Sequence, residues 1–483
     1  MDNLKAKGIT AFIWDFSRNL GTQGMGFVFS IFLARLLAPA DFGLIAMVMV
    51  IIGIAGVFTD VGLGGALVQR KKILPVHYSS VFYFNISIGL ILSLVTYFSA
   101  GAIGDFYKND DLVPLAQVMS LSFVINAFSS VQGAKLRKEL NYAVLAKIGF
   151  AASLLSGVVG VSLAFSGAGV WSLVAQTLTM GILHNIFIWS ASKWVPSLQF
   201  SFKALVQLWG YGLRMFLAGL LDAVFTRLDY LIIGKLFMPE TLGLFQRAKS
   251  LNLFVVRYTS ASLMSVLFPV LSKIQNDLPR FQNVVLKTLG IISFITFLLL
   301  GGLYLVSEEL IVLLYGGKWL PSVKFFKILV LSGFAYPVSA LLVNVLSSRG
   351  KSKLFLRLEI YKKLLVCINI YVLVAWGIDI YLYGLIVKAV LGVSLNIFFA
   401  SREIQLTFFE FVKPLVIQAV ITVVAVLTTL SLVAVSGIDG SLLLILMKGL
   451  SFASIYFLVS WSFKTSSYSS FAGQVIPLVR ARF

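Results

Sequence analysis

The residues that could do chemistry are ionisable side chains set inside long apolar stretches. Asp15 and Arg18 stand in the first stretch and Asp60 in the second. Arg214, Asp222, Arg227 and Asp229 share another, and Arg247, Lys249 and Arg257 follow in the next. A charge at membrane depth costs several kcal/mol unless it is paired or hydrated, so each is a functional candidate by default. Asp15 and Arg18, spaced i, i+3, meet on one helix face. At 100° per residue, Arg214, Asp222 and Asp229 fall within roughly an 80° arc, while Arg227 points elsewhere. Guanidinium groups suit oxyanions, which accept two parallel hydrogen bonds from them. The carboxylates Asp15, Asp60, Asp222 and Asp229 suit ion coupling or gating, either by pairing with those arginines or by carrying a proton. Blander readings stand beside these. Arg214, Arg247 and Lys249 lie near helix ends and can snorkel to the interface, and Asp15 with Arg18 can form a structural ion pair.

Catalytic motifs are absent from the sequence. It holds no Walker A loop, no GxSxG, no HExxH and one cysteine, Cys367, so no intramolecular disulfide forms. His77 and His184 are far apart in sequence, and nothing points to a metal or a cofactor. Outer loops of about 3–15 residues are too short for a membrane-bound polymerase or glycosyltransferase site. The chain therefore does not read as an enzyme.

The elements that must position these residues are transmembrane helices. Of 483 residues, 59% are hydrophobic and 12% charged, against about a quarter charged in a soluble domain. A crossing needs about 20 mostly apolar residues. Such spans lie near 11–37, 42–68, 80–103, 112–133, 142–165, 169–191, 207–237, 242–271, 284–306, 323–346, 355–376, 380–400, 412–435 and 441–463. Strands are excluded, because the spans are too long and do not alternate. The expected fold is all-α and polytopic with about 14 transmembrane helices. The start of the chain runs into its first span without a small-residue cleavage site, which predicts no cleaved leader.

Charge sets the expected orientation. One set of alternate loops carries Lys5, Lys7, Arg70, Lys71, Lys72, Lys135, Arg137, Lys138, Lys193, Lys203, Lys273, Arg280, Arg349, Lys351, Lys353, Arg357, Lys464, Arg480 and Arg482. The other carries Asp105, Asp110, Asp111, Glu308, Glu309, Asp379 and Asp439. Positive-inside bias puts the first set, and with it both termini, in the cytoplasm. The net charge of +20 is thereby an orientation signal, not a nucleic-acid site.

The chain also repeats itself. ARLLAPADFGL at 34–44 returns as GKLFMPETLGL at 234–244, so that Leu36, Pro39, Gly43 and Leu44 recur as Leu236, Pro239, Gly243 and Leu244. The boundaries expected are a six-helix lobe over 1–192, a cytoplasmic linker over 193–203, a second six-helix lobe over 204–402, an additional helix pair over 412–463 and a cytoplasmic tail over 464–483. Both lobes start on the same side, so the repeat is parallel, an arrangement that builds two facing bundles around a central cavity.

These segments resemble the polysaccharide transporter family of the multidrug/oligosaccharidyl-lipid/polysaccharide exporter superfamily, which includes O-antigen and colanic-acid-type flippases. The resemblance runs along essentially the whole chain. It is carried by ARLLAPADFGL, by Asp60-Val61-Gly62-Leu63-Gly64 with Leu67-Val68-Gln69-Arg70-Lys71, by Leu228-Asp229 through Gly243-Leu244 with Ala248, and by Tyr315-Gly316 with Trp319-Leu320-Pro321. It implies a bacterial cytoplasmic (inner) membrane flippase for undecaprenyl-diphosphate-linked oligosaccharide, working by alternating access on a gradient of H+ or Na+. Membrane lipids surround it, and a polysaccharide polymerase is an implied partner. The lipid diphosphate then gives Arg18, Arg214, Arg227, Arg257, Arg247 and Lys249 a ligand. The alternative is a multidrug or cation antiporter of the same superfamily. It is disfavoured because buried carboxylates do not outnumber the arginines and lysines near them.

Overall fold

The computed structural model describes residues 21–436 and 441–480, and within them all side chains except those of 257–266, 352, 435, 436, 441 and 474–480. Asp15 and Arg18, and the side chain of Arg257, therefore lie outside the described residues. Among the described residues every regular element is helical. Ten stretches among them are long and apolar enough to cross a membrane. The longest, Lys353–Ile404, holds two helices. Gly377 interrupts it with φ 83° and ψ −176°, a conformation that a side chain would resist.

The chain divides into two compact units, Met1–Gln246 and Arg247–Phe483. The first contains α1 (21–36), α2 (Pro39–Ala55), α3 (Leu63–Gln69), α4 (Pro75–Phe98), α5 (Ala100–Tyr107), α6 (Leu112–Met119), α7 (Leu121–Lys138), α8 (Tyr142–Phe165), α9 (Trp171–Ser192), α10 (Phe202–Leu236) and the first turns of α11 (Pro239–Lys273). Proline opens α2, where its missing N–H is no loss. The Asp41 carboxylate accepts from Ala38 N at 2.8 Å, which fixes the entry of the chain. Proline likewise opens α11, with Glu240 in its first turn. The two openings touch each other. A Cβ on Gly43 would run into the Pro239 carbonyl, and one on Gly243 into the Pro39 carbonyl. The repeated proline and glycine thus form one reciprocal backbone crossing.

Around that crossing, α10 packs on α2, α3 and α4, while α7 packs on α4 and α9, and α8 on α9. Leu63, Leu67, Val81, Phe82, Val131 and Leu208 join α3, α4, α7 and α10 in one buried cluster. Outward faces stay apolar, as Leu90, Ile91, Leu94, Val95 and Phe98 show along α4. Such a stripe would drive aggregation in water but matches a lipid solvent.

The second unit continues α11 and adds α12 (Leu278–Leu305), α13 (Ser307–Tyr315), α14 (Ser322–Ser332), α15 (Ala335–Ser348), α16 (Ser352–Ile404), α17 (Phe408–Ser436), α18 (Ser441–Ser462) and α19 (Ser466–Arg480). Its axis is α12, which contacts α15, α17, α18 and α19. Phe294 of α12 packs with Ala425, Phe452 and Tyr456 of α17 and α18. The Tyr456 hydroxyl lies 2.6 Å from Gln418 Oε1 and 2.9 Å from the Phe294 carbonyl. Gln418 Nε2 in turn donates to Thr465 Oγ1 at 3.3 Å. Lys448 of α18 pairs with Glu309 of α13, both largely withdrawn from the surface.

Candidate functional site

α10 is unbroken from Phe202 to Leu236, so the angular positions of its charges follow from helix geometry. One face packs on the first unit: Gly212 meets Val61 and Leu63, and Gly219 meets Val57. Arg227 lies on this packing side. Its guanidinium rests where a Cβ of Gly53 would be, and Nη1 donates to Ala223 O at 3.4 Å. Arg214, Asp222 and Asp229 occupy the other side. Arg214 is exposed and donates from Nε to Gly210 O at 2.9 Å. Asp222 is exposed, and half-buried Asp229 accepts from Tyr230 N at 2.9 Å. The structure therefore does not gather Arg214 and Arg227 on one face.

On α11, Arg247 is 5% exposed. Its Cζ stands 5.7 Å from the centre of the Tyr315 ring, within cation–π range. Tyr315 and Trp319 are themselves buried, their rings 5.9 Å apart. Gly316, at φ 93°, lets the chain turn between them. The Tyr-Gly…Trp segment is thereby the cover of a buried arginine. Lys249, two residues on, is half-buried.

Asp60 closes the 3-10 turn Gly56–Thr59 that follows α2, and it precedes α3. Both of its carboxylate oxygens accept from Gly64 N at 3.0 Å, which places a carboxylate on the N-terminus of α3. Gly62, at φ 72°, makes the turn and lies so close to Gly212 that a Cβ would strike the Gly212 carbonyl. Asn85 of α4 donates from Nδ2 to Asp60 Oδ1 at 3.1 Å and to Ser130 Oγ at 2.6 Å. The Asp-Val-Gly-Leu-Gly motif is thus a built turn, wired through Asn85 to α7.

That wire ends at a cavity of about 320 Å³ inside the first unit. Its polar lining is Thr22 and Gln23 of α1, Ser129, Ser130 and Arg137 of α7, and His184 of α9. Sequence reading assigned Arg137 to orientation and gave His184 no role. The readable signal was Ser130, Gly133 and Arg137 at i, i+3 and i+7 on one face of α7. The second unit holds a cavity of about 340 Å³ with a different lining, including Phe297, Tyr304, Phe334, Thr422 and Val426. Among the described residues no group of three or more His, Cys, Asp or Glu side chains is placed to hold a metal ion.

Comparison with known proteins gives a consistent picture. The family described as "Polysaccharide biosynthesis protein" matches residues 32–324. The lipopolysaccharide biosynthesis protein WzxC of Escherichia coli (strain K12) is 25% identical over 370 residues, covering 75% of this chain and 74% of the relative. Among solved structures, the lipid II flippase MurJ in an inward closed conformation superposes with a TM-score of 0.72 at 16% identity, covering 93% of this chain and 99% of that chain. An inward-facing multidrug resistance MATE family transporter of the MOP superfamily gives 0.60 at 15% identity, over 80% of this chain and 95% of that one. The fold is shared with both.

Proposed function

The chain belongs to the polysaccharide biosynthesis protein family, and from that premise we propose that it is a flippase for a polyprenyl-diphosphate-linked oligosaccharide. It moves the lipid-linked repeat unit across the bacterial cytoplasmic membrane without making or breaking a covalent bond. The observation that carries this reading is the family match on a fold that covers nearly all of a lipid II flippase. Fold alone does not separate it from the multidrug transporters; family membership favours the glycan.

The topology we propose has fourteen spans. They are the ten apolar stretches with Lys353–Ile404 counted as two, together with α1, α10 and α11. Two six-helix lobes in parallel repeat, 1–192 and 204–402, move by alternating access. The pair over 412–463 is additional, and both termini are cytoplasmic. The reciprocal crossing of Pro39–Gly43 with Pro239–Gly243 supports the repeat, because it brings the two copies together through equivalent atoms.

Arg214, Arg227, Arg247 and Lys249, with Arg18 and Arg257, serve the diphosphate along its path. Asp15, Asp222 and Asp229 serve coupling or gating, driven by a gradient of H+ or Na+, and Asp60 couples through its hydrogen bonds to Asn85 and Ser130. Arginine binds phosphate oxygens by a planar fork that lysine lacks. The test is reconstitution of the full chain in vesicles with a fluorescent polyprenyl-diphosphate oligosaccharide in one leaflet. Wild type is expected to equilibrate it between leaflets, and Arg227→Ala to lose this while Arg227→Lys keeps part. No leaflet transfer, with uptake of an organic cation instead, moves the chain to the multidrug reading.

A further inference from the structure

We propose that the polar cavity of the first unit is a second anion site, which takes a single phosphate- or carboxylate-bearing group of the translocated molecule. The proposal deepens the flippase reading and rests on it for the identity of that molecule.

Three basic residues stand together at the end of α7, and two of them are already used. Lys135 donates to the Ser192 carbonyl at 3.3 Å and lies 3.8 Å from Glu139 Oε1. Lys138 donates to the carbonyls of Leu67 and Arg70, fastening the end of α3. Arg137 differs: among the described residues it has no hydrogen-bond or ion-pair partner within bonding distance. Its guanidinium folds back over Gly133, 3.6 Å from where a Cβ would be, and lines the cavity. An arginine that only marked orientation would extend toward headgroups and water.

The rest of the lining suits an anion. It carries hydroxyls from Ser129, Ser130 and Thr22, an amide from Gln23 and an imidazole from His184, and among the described residues it holds no acidic side chain. Among the described residues Thr22 Oγ1 is buried without a hydrogen-bond partner, a cost that a ligand oxygen would remove. Asp60 is held by Gly64 N and Asn85, so it organises the wall without occupying the site. The volume, about 320 Å³, lies at the small end of ligand pockets, which begin at about 300 Å³. It admits one sugar ring or a diphosphate and excludes a whole repeat unit.

The chemistry required is an oxyanion, and it has two sources: the carrier diphosphate or an acidic sugar. Thermal unfolding of the full chain in nanodiscs, titrated at constant ionic strength, separates them. The probes are sodium pyrophosphate, sodium glucuronate and neutral glucose. At least one anion is expected to raise the midpoint saturably, and glucose is not. Pyrophosphate alone assigns the site to the carrier; glucuronate, alone or with it, assigns the site to the glycan. Arg137→Ala and Arg137→Gln are each expected to weaken the effect about tenfold or more, while Lys203→Ala, an exposed charge away from the cavity lining, keeps it. No saturable shift with either anion, or an unchanged shift in both Arg137 variants, overturns the proposal. The vesicle assay fails separately: anion binding without leaflet transfer keeps the pocket and removes the flippase reading.

Discussion

The helices α2 and α11 begin alike and diverge within two turns. Each opens on a proline, Pro39 or Pro239, and carries a glycine four residues on, Gly43 or Gly243. At the next equivalent positions, 200 residues apart, Met47 and Met49 of α2 correspond in sequence to Arg247 and Lys249 of α11. Met47 and Arg247 are both buried. The residues that recur are those whose backbone touches the other copy. Of the residues that differ, Met47 and Arg247 point inward, while Met49 and Lys249 do not. On the repeat proposed above, the crossing is kept where a Cβ would strike backbone, and the positions beyond it are free to differ.

The largest effect is expected at the crossing. Gly43→Leu and Gly243→Leu each drive a side chain into the other copy's proline carbonyl. Overpacking ordinarily costs about 1–3 kcal/mol, and here the obstacle is backbone, which cannot swing away. Neither variant is expected to give a monodisperse membrane protein on size-exclusion chromatography, and the two are expected to fail alike. Normal behaviour of one alone would break the equivalence of the two copies.

Met47→Arg comes next. It places in α2 the charge that α11 carries, but in a site beside Gly234 of α10 rather than beneath Tyr315. A buried charge without its partner costs about 3–5 kcal/mol. Expression and the thermal midpoint in detergent are expected to drop sharply. A stable variant would mean that water reaches position 47.

This contrast also marks what could be read from the residues alone. Long apolar spans were legible, because length is a local fact, but the expected starts at 42, 80 and 242 fall inside helices that open on Pro39, Pro75 and Pro239. The break between the spans expected at 355–376 and 380–400 falls at Gly377, where the structure needs a positive φ. The side to which a basic residue turns was not legible. Lys135, Arg137 and Lys138 are near neighbours in sequence, yet successive residues on a helix point 100° apart. Packing of α7 on α4 and α9 decides that Arg137 turns inward. Asp60 looked like an isolated charge in an apolar span. Its partners Gly64 and Asn85 come from the following turn and from a different helix, which spacing does not reveal.

Arg247→Met gives α11 the residue that α2 has. Replacing a buried charge by an apolar side chain of similar length is often neutral or stabilising, while loss of the Tyr315 contact costs up to about 2 kcal/mol. The two nearly cancel, so the thermal midpoint is expected to move little. Glycan export at matched membrane expression is expected to fall by more than about tenfold, the equivalent of about 1.4 kcal/mol at the limiting step. Full export with a lowered midpoint would make Arg247 a packing residue and leave the divergence of the two copies without a functional meaning.

The smallest effect is expected at Lys249, and it sharpens the comparison because two readings differ there in sign. Its counterpart Met49 is exposed, and Lys249 is half-buried, so the position tolerates contact with the surroundings. Substitutions at such sites usually change stability by no more than about 0.5 kcal/mol. Stability therefore does not discriminate, and export does. A snorkelling lysine keeps its head at the interface, where methionine is equally at home, so Lys249→Met leaves export unchanged. A lysine that meets the diphosphate loses its charge in Lys249→Met and gains a fork in Lys249→Arg. Export should then fall about two- to tenfold in the first, a loss of about 0.4–1.4 kcal/mol, and match or exceed wild type in the second. Because α2 carries methionine at the same register, Lys249→Met asks whether the second copy can work with the side chain of the first, and export retained by both variants would remove Lys249 from the path.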